Sequence, residues 1–259
     1  MYKILVTNDD GFDAPGITAL ALAMQELGEV TVVAPDRERS AIGHGLTFFR
    51  PLRIHQEADL EKARVFSSDG TPTDCVLLGV HAVLENTPDL VVSGINRGPN
   101  LGDDITYSGT VSAALEAAIQ KIPAMAVSLS TFDSKAHYET AAHFAAKIAR
   151  KILEKSLPPG EFVNVNVPNI PVYQVQGIDL TVQGKTVYKQ KVISRTDPRG
   201  IKYYWLTGDL PRGGQEEGTD YQAVHDNRVS VTPLHTSMTR HESLELLNSW
   251  QIFDRKPEI

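Results

Sequence analysis

The chain has 259 residues, of which 41% are hydrophobic and 22% charged, and its formal net charge is −7 at pH 7. This composition is typical of a soluble globular protein and disfavours DNA binding, which would require basic stripes on the surface. No apolar run approaches the roughly 20 residues of a membrane helix. The single cysteine, Cys75, excludes an internal disulfide and a cysteine-rich zinc site. Because the N-terminus lacks the pattern of a signal peptide, we expect a cytoplasmic protein without membrane contact.

Residues 1–170 alternate short apolar runs with amphipathic stretches, which predicts alternating strands and helices. The predicted strands are Ile4–Val6, Val30–Ala34, Leu90–Ser93, Ala124–Leu129 and Phe162–Val167. The predicted helices begin near Pro15, Thr73, Gly109 and His137. Repeated strand–helix–strand units predict an α/β fold, a three-layer Rossmann-like catalytic core with a mostly parallel sheet between two layers of helices.

The remaining segments follow a different pattern. Leu46–His55 is predicted to be extended, and we expect residues 171–259 to form a β-rich arm and C-terminal segment that packs on the core and serves oligomerisation. The extended segments predicted there are Tyr173–Gln176, Thr186–Ile193 and Lys202–Leu206. The turn sequence Asp197-Pro198-Arg199-Gly200 predicts a β-hairpin. Its aromatic residues, Tyr203, Tyr204 and Trp205, would contact either the core or another subunit, and we prefer the subunit. A short helix followed by a loose tail is expected after about Ser237.

Two acidic residues, Asp9 and Asp10, directly follow the first predicted strand. Open α/β sheets bind ligands beyond the carboxyl ends of such strands. Adjacent carboxylates repel each other unless a cation or a proton lies between them. We therefore interpret the pair as part of a divalent-metal site, the alternative being a helix cap with a solvated turn.

Two neutral oxygen donors follow neighbouring strands. Ser40 comes after the second strand, and Asn96 comes after Leu90–Ser93. Taken singly, Ser40 is typical of a helix cap and Asn96 of a turn. Together with the two carboxylates they form an oxygen donor set that suits Mg²⁺ or Mn²⁺ and leaves positions for water and a substrate oxygen.

The segment Gly94–Thr110 contains four glycines and ends where a helix is predicted. Free N–H groups at a helix start attract anions. Ser108, Gly109 and Thr110, with Asn96, therefore predict a phosphate-binding site, the alternative being an ordinary cap with a flexible loop. Asp103 and Asp104 would either support the site or lie exposed. The residues expected to line the pocket are Gly43, Thr71 and Asn100, with Ser68–Asp74 at its mouth.

Five segments, taken together in order, resemble the survival protein SurE family, whose members are stationary-phase survival phosphatases that act as nucleotidases. These segments are Asn8–Gly11, Ala34–Ser40, Gly70–Val76, Ser93–Asn100 and Tyr107–Val111. The resemblance spans most of residues 1–130, and the length of the chain also fits.

The resemblance implies a 5′-nucleotidase that hydrolyses nucleoside 5′- and 3′-monophosphates, with polyphosphate as a further substrate. It implies one divalent ion per subunit, Mg²⁺ or Mn²⁺, held by Asp9, Asp10, Ser40 and Asn96. We assign catalytic roles to Asp9, Asp10 and Asn96, and expect attack on phosphorus by water activated at the metal. The resemblance also implies a homodimer or homotetramer built partly by exchange of C-terminal elements.

Three other classes share parts of this pattern. A receiver-like domain also places an acidic pair after its first strand to bind Mg²⁺, but this chain is about twice the usual length of such a domain and has Gly94–Asn96 where the acceptor aspartate would lie. A covalent aspartyl phosphatase would need an Asp-x-Asp motif, and the adjacent pair Asp9-Asp10 does not have this spacing. A non-catalytic nucleotide-binding module stays open.

Overall fold

The computed structural model describes residues 1–133, 135–187, 190–208, 212–214 and 216–252. The first part of the chain alternates strands and helices as the periodicity predicts, except that three strands follow one another after the first helix, the last of which, Arg64–Ser68, was not predicted. Its elements are β1 (Tyr2–Thr7), α1 (Pro15–Met24), β2 (Gly28–Pro35), β3 (Ile54–Gln56), β4 (Arg64–Ser68), α2 (Pro72–Leu78), β5 (Leu90–Arg97), α3 (Gly109–Ile119), β6 (Ala124–Ser130), α4 (Tyr138–Lys155) and β7 (Glu161–Pro168). A π-helical turn, Gly79–Val83, continues α2, and a 3₁₀ turn, Gly102–Thr106, precedes α3.

The second part of the chain is richer in short strands. Its elements are β8 (Ile178–Leu180), β9 (Thr186–Val187), β10 (Gln190–Thr196), β11 (Lys202–Gly208), β12 (Arg212–Gly213), α5 (Asp220–His225), β13 (Val229–His235) and α6 (Ser243–Asn248). The short helix expected after Ser237 is thus confirmed as α6. The loose tail predicted beyond it falls on residues 253–259, outside the described residues.

Nine strands form one sheet in the order β3-β4-β2-β1-β5-β6-β7-β13-β8. The pairs from β4 to β7 are parallel, whereas β3 runs antiparallel to β4 and β13 runs antiparallel to β7. β10 and β11 form a separate antiparallel hairpin, and β9 pairs with β12. The predicted α/β fold with a mostly parallel sheet and an additional hairpin is confirmed.

The sheet is covered on both faces because its inner strands are apolar on both sides. Ile4 and Val6 belong to one buried cluster, with residues of α1 and α4. Leu5, between them in sequence, belongs to a second cluster with residues of α2 and α3. Successive side chains of a strand point to opposite faces. The two clusters therefore make the three layers, and each fully buried aliphatic side chain contributes about 1.5–3 kcal/mol to folding.

One predicted extended segment is wrong, and another forms a strand only at its end. Within Tyr173–Gln176 the chain instead forms a 3₁₀ turn, Val172–Gln174. This turn closes because the N–H of Gln174 donates to the Pro171 carbonyl at 2.9 Å, and proline pre-sets the backbone angle that a turn needs. Of Leu46–His55, only the last two residues lie in a strand, β3.

The hairpin predicted around Asp197–Gly200 is confirmed. The Asp197 carboxylate accepts the N–H groups of Arg199 at 2.9 Å and Ile201 at 2.8 Å, which stabilises the turn between β10 and β11. The predicted strand Thr186–Ile193 corresponds to β9 and β10, with residues 188–189 between them outside the described residues.

The C-terminal part contributes to the main sheet as well as to the hairpin. β13 lies between β7 and β8, so strands from residues 171–259 form one edge of the sheet, and β3 forms the other. The division of the chain at residue 170 stays a prediction. In the described part of the chain, no helix has the length and hydrophobicity needed to cross a lipid bilayer.

Candidate active site

Three adjacent strands end at the candidate site. β1 pairs in parallel with β2 on one side and with β5 on the other. Their carboxyl ends therefore lie next to one another, and the loop after each one reaches the same edge of the sheet. These loops carry Asp9 and Asp10, Ser40, and the segment that follows Asn96.

The turn after β1 separates the two carboxylates. Asn8 is fully buried, and its side chain donates to the Gly11 carbonyl at 2.8 Å while accepting the Gly11 N–H at 3.2 Å. Gly11 has a φ of +109°, a backbone conformation that favours glycine. As a result Asp9 is buried, with 4% exposure, while Asp10 is only partly buried.

Asp9 lies against the start of α3. The Thr110 hydroxyl donates to Asp9 Oδ1. A Cβ added to Gly109 would lie 2.8 Å from the Asp9 Cβ and 2.9 Å from its Oδ2. The Asp9 carbonyl also accepts the N–H of Arg39 at 2.7 Å, which brings the loop after β2 to the pair. Burial, together with the neighbouring charge of Asp10, raises the pKa of Asp9 to about 6.

Asp10 is held from the other side of the site. The N–H of Arg97 donates to Asp10 Oδ2 at 3.1 Å. Burial raises the pKa of Asp10, and the charge of Glu38 adds to the effect. Both carboxyl groups thus resist ionisation in the protein alone, and a cation between them would relieve this cost.

The two neutral donors keep oxygen atoms available. The Ser40 hydroxyl donates to Glu38 Oε1 at 2.6 Å, which leaves the lone pairs of its oxygen free to bind a cation. The Asn96 amide nitrogen donates to the Gly98 carbonyl at 2.9 Å, which leaves its carbonyl oxygen as the acceptor.

This donor set fits a hard divalent ion, because every proposed ligand atom is oxygen. Only two of the four ligands are acidic. Consistently, no group of three or more His, Cys, Asp or Glu residues that could hold a metal occurs among the described residues.

The predicted phosphate-binding residues begin α3, but their hydroxyl groups are engaged within the protein. Ser108 is the N-cap, and its Oγ accepts the N–H of Val111 at 3.1 Å. The Thr110 hydroxyl is used by Asp9. The Thr110 N–H also donates to the Asp9 carboxylate. Phosphate binding at Ser108, Gly109 and Thr110 stays a prediction that depends on the other backbone N–H groups of this first turn.

The predicted pocket residues have different surroundings. The Gly43 N–H donates to the Tyr107 carbonyl at 3.0 Å, beside the start of α3. Thr71 caps α2 and donates from its hydroxyl to the Gly45 carbonyl at 2.7 Å. Asn100 is buried and donates to the Ser128 hydroxyl at 2.7 Å. These contacts organise the loops around the site, and direct contact of the three residues with a ligand stays a prediction.

Several residues of the site were not found from sequence. Glu38 is the hydrogen-bond partner of Ser40 and raises the pKa of Asp10 by its charge. The His44 imidazole lies 2.9 Å from the Glu116 carboxylate and so links the loop after β2 to α3. Asp103, which the sequence left as either a supporting or an exposed residue, accepts the N–H of Thr186 at 3.0 Å. The turn between Asn8 and Gly11 could have been predicted from the sequence, since an Asn followed three residues later by Gly is typical of a turn.

A cavity of about 380 Å³ opens beside Asp10, and its volume lies within the range of small-molecule sites. Its polar lining comes from Asp13, Glu38, Arg97, Asp133 and Tyr138, in addition to Asp10. The edge of the sheet therefore offers room for a ligand next to Asp10, whereas Asp9, Ser40, Asn96 and the start of α3 do not line this cavity.

Comparison with known proteins identifies relatives over nearly the whole chain. The sequence profile described as Survival protein SurE matches residues 4–190. A protein named 5′-nucleotidase SurE from Geobacter sulfurreducens is 54% identical over 256 residues, covering 99% of this chain and 96% of the relative. A protein of the same name from Geobacter metallireducens is 53% identical over 248 residues, covering 96% and 97%.

A solved structure shows the same similarity in three dimensions. The crystal structure of the SurE protein from Aquifex aeolicus matches with a TM-score of 0.83 at 44% sequence identity, covering 96% of this chain and 99% of that one. The similarity therefore extends well beyond residue 130, where the matching motifs end. The chain belongs to the survival protein SurE family.

Proposed function

We propose that this protein is a divalent-metal-dependent 5′-nucleotidase that hydrolyses nucleoside monophosphates. The observation that carries the proposal is the pair of carboxyl groups with raised pKa at the meeting point of three strand ends, where Asp9 lies directly against the start of α3. The names of the two Geobacter relatives support a nucleoside 5′-monophosphate as the substrate.

Asp9, Asp10, Ser40 and Asn96 would hold one Mg²⁺ or Mn²⁺ ion per subunit. When bound, such an ion lowers the pKa of a coordinated water and offsets negative charge on the phosphoryl group. The residues of the chain supply position and further charge stabilisation. Backbone N–H groups at the start of α3 would donate to phosphoryl oxygens, and they favour the charge that develops there during hydrolysis.

Three finer features belong to the same proposal. We infer that nucleoside 3′-monophosphates are also hydrolysed and that polyphosphate is a further substrate. A cytoplasmic location stays a prediction.

We also propose that the protein forms a homodimer or homotetramer through the β10–β11 hairpin. Apolar side chains on the hairpin are exposed in the single chain, for instance Trp205 at 63% and Leu206 at 85%. Contact with another subunit would bury this surface.

A phosphate-release assay tests the activity. We expect hydrolysis of nucleoside 5′-monophosphates with Mn²⁺ or Mg²⁺, and loss of hydrolysis with chelator. Asp9→Asn removes one ligand charge and should lower kcat/KM by about 100-fold or more, with the fold preserved by circular dichroism. Full activity in that variant would refute the metal assignment. An acid-stable phosphoprotein formed from the substrate would instead favour a covalent phosphoacceptor.

A further inference from the structure

We propose that the Thr110 side chain is a positioning group for the Asp9 carboxylate rather than a ligand of the substrate phosphate. The inference rests on the proposed function, because it concerns how the chain prepares Asp9 to bind the metal. The sequence predicts phosphate binding by the backbone N–H groups of this turn. Because the Thr110 N–H also donates to the Asp9 carboxylate, phosphate binding is left to the other N–H groups of the turn.

The hydroxyl of Thr110 has a single hydrogen, and Asp9 Oδ1 accepts it. The residue is fully buried, so solvent does not compete for this hydrogen bond. A threonine hydroxyl donates only one hydrogen bond. Donation to a phosphate oxygen would require Thr110 to break its contact with Asp9, which would then lose its hydrogen-bonding side chain in a buried site.

Gly109 confines the same carboxylate from a second direction. The position of a Cβ at residue 109 is 2.8 Å from the Asp9 Cβ and 2.9 Å from Oδ2, closer than non-bonded atoms approach. The backbone at Gly109 is not in the left-handed region, so glycine is required here for space rather than for conformation. Thr110 therefore fixes one oxygen of Asp9, while the missing side chain of Gly109 makes room for the other.

The turn that carries both residues is itself rigid. Ser108 caps α3 through the Val111 N–H, and the residues from Gly109 to Ala114 are buried against the sheet. A rigid support that hydrogen-bonds a metal ligand fixes the ligand's orientation, and loss of such a partner typically costs 10- to 100-fold in metal affinity or activity. We assign this supporting role to the start of α3.

The test compares Thr110→Val with Thr110→Ser. Mn²⁺ binding is measured by electron paramagnetic resonance without nucleotide, and kcat and KM are measured at saturating Mn²⁺. We expect Thr110→Val to weaken Mn²⁺ binding by about 10- to 100-fold and to lower kcat, with KM for the nucleoside monophosphate unchanged. Thr110→Ser keeps the hydroxyl and should bind Mn²⁺ like the wild type.

Thr140→Val is the matched control. Thr140 is a fully buried threonine in the first turns of α4, and its hydroxyl donates to the Ile170 carbonyl at 2.8 Å. Its replacement removes a comparable hydrogen bond outside the site, so Mn²⁺ affinity should stay at the wild-type value. A similar loss of affinity in Thr140→Val would assign the effect to general destabilisation and overturn the inference.

Gly109→Ala provides a second variant, whose fold is checked by circular dichroism. The added methyl group overpacks against Asp9, so we expect it to displace the carboxylate and to weaken Mn²⁺ binding. Unchanged Mn²⁺ affinity in both Thr110→Val and Gly109→Ala would overturn the positioning role, as would a raised KM with unchanged affinity in Thr110→Val. Absence of Mn²⁺ binding by the wild type would instead overturn the proposed function.

Discussion

Asp9 is a residue whose burial opposes folding. Its carboxyl group has a pKa of about 6 in the folded protein, against 3.8 for an exposed aspartate. Below about pH 4 the group is protonated in both the folded and the unfolded states, so no charge is buried. As the pH rises from about 4 through 6, the unfolded state ionises more readily than the folded state, and the free energy of unfolding falls. A difference of about 2 pKa units corresponds to about 3 kcal/mol.

Asp9→Asn should therefore stabilise the metal-free protein at neutral pH. We expect the free energy of unfolding at pH 7 to rise by up to about 3 kcal/mol relative to the wild type, with the difference shrinking towards pH 4. Urea denaturation of both proteins in chelator, across this pH range, measures it. Saturating Mn²⁺ should reverse the order, since the ion stabilises the folded wild type. A difference that did not change with pH would contradict the assignment of the cost to ionisation.

Gly94 is a second position at the site where close packing leaves room only for glycine. Its φ is +136°, and a Cβ there would lie 2.2 Å from the carbonyl oxygen of Val127 on the neighbouring strand. Gly94→Ala should lower the free energy of unfolding by about 3 kcal/mol or more, through backbone strain and overpacking combined. Gly200→Ala is the control, because Gly200 also has a positive φ but nothing within 4 Å of its Cβ position. Equal losses of stability in urea would show that the contact with Val127 does not matter.

At the scale of elements, one buried carboxylate joins three segments that are distant in sequence. Asp220, at the start of α5, accepts the N–H groups of Gly102 at 2.8 Å, Gly184 at 2.9 Å and Tyr221 at 2.8 Å. Asp220 is 1% exposed. The turn that leads into α3 is thus attached to the C-terminal part of the chain by hydrogen bonds to a single side chain.

Asp220→Asn should loosen this connection. The amide retains one acceptor oxygen and directs an NH₂ group at a backbone N–H, which leaves a buried donor unsatisfied at a cost of about 1–3 kcal/mol. We expect a lower midpoint in thermal unfolding. Asp226→Asn, an exposed aspartate at the end of the same helix, should change it little. An unchanged midpoint in Asp220→Asn would indicate that the three segments hold together without this carboxylate.

Most elements of residues 1–170 could be predicted because strands and helices there alternate with strong apolar periodicity, which also determines which strand ends share an edge. β4 was missed because only two of its five residues are apolar. β13 could not be predicted in this way, because Pro233 lies within it. Proline is tolerated there since β8 pairs only with Val229–Val231, and Pro233 is exposed.

The same contrast holds for the candidate site. The acidic pair could be predicted because it directly follows a buried strand. The role of Thr110 could not, since a hydroxyl at a helix start suits a cap, an anion or a carboxylate equally well. The choice depends on Asp9, which is 101 positions away in sequence and adjacent only in the fold.

At the scale of the whole molecule, the β10–β11 hairpin projects apolar side chains that the single chain does not bury. Val192 and Leu206 are cross-strand partners, and they are 63% and 85% exposed. The double variant Val192→Lys/Leu206→Lys places two charges on this face. We expect it to dissociate the proposed oligomer, because an unpaired charge is costly to bury in an interface.

Light scattering coupled to size-exclusion chromatography measures the mass of the double variant. Glu26→Lys, at an exposed residue outside the hairpin, is the control and should leave the mass unchanged. A wild-type mass equal to one chain, 28.4 kDa, would contradict the oligomer itself. An unchanged oligomeric mass in the double variant would exclude this face as the interface.

The position of β13 has a consequence for how the protein is made. This strand is the last one in the described part of the chain, yet it lies inside the sheet, between β7 and β8. While the ribosome is still adding residues before Val229, β8 has no strand to join and the outer edge of β7 presents unpaired backbone groups. Open edges invite pairing between chains. The edge of β7 must therefore be kept from pairing with other chains until almost the whole sequence of the nascent protein has emerged.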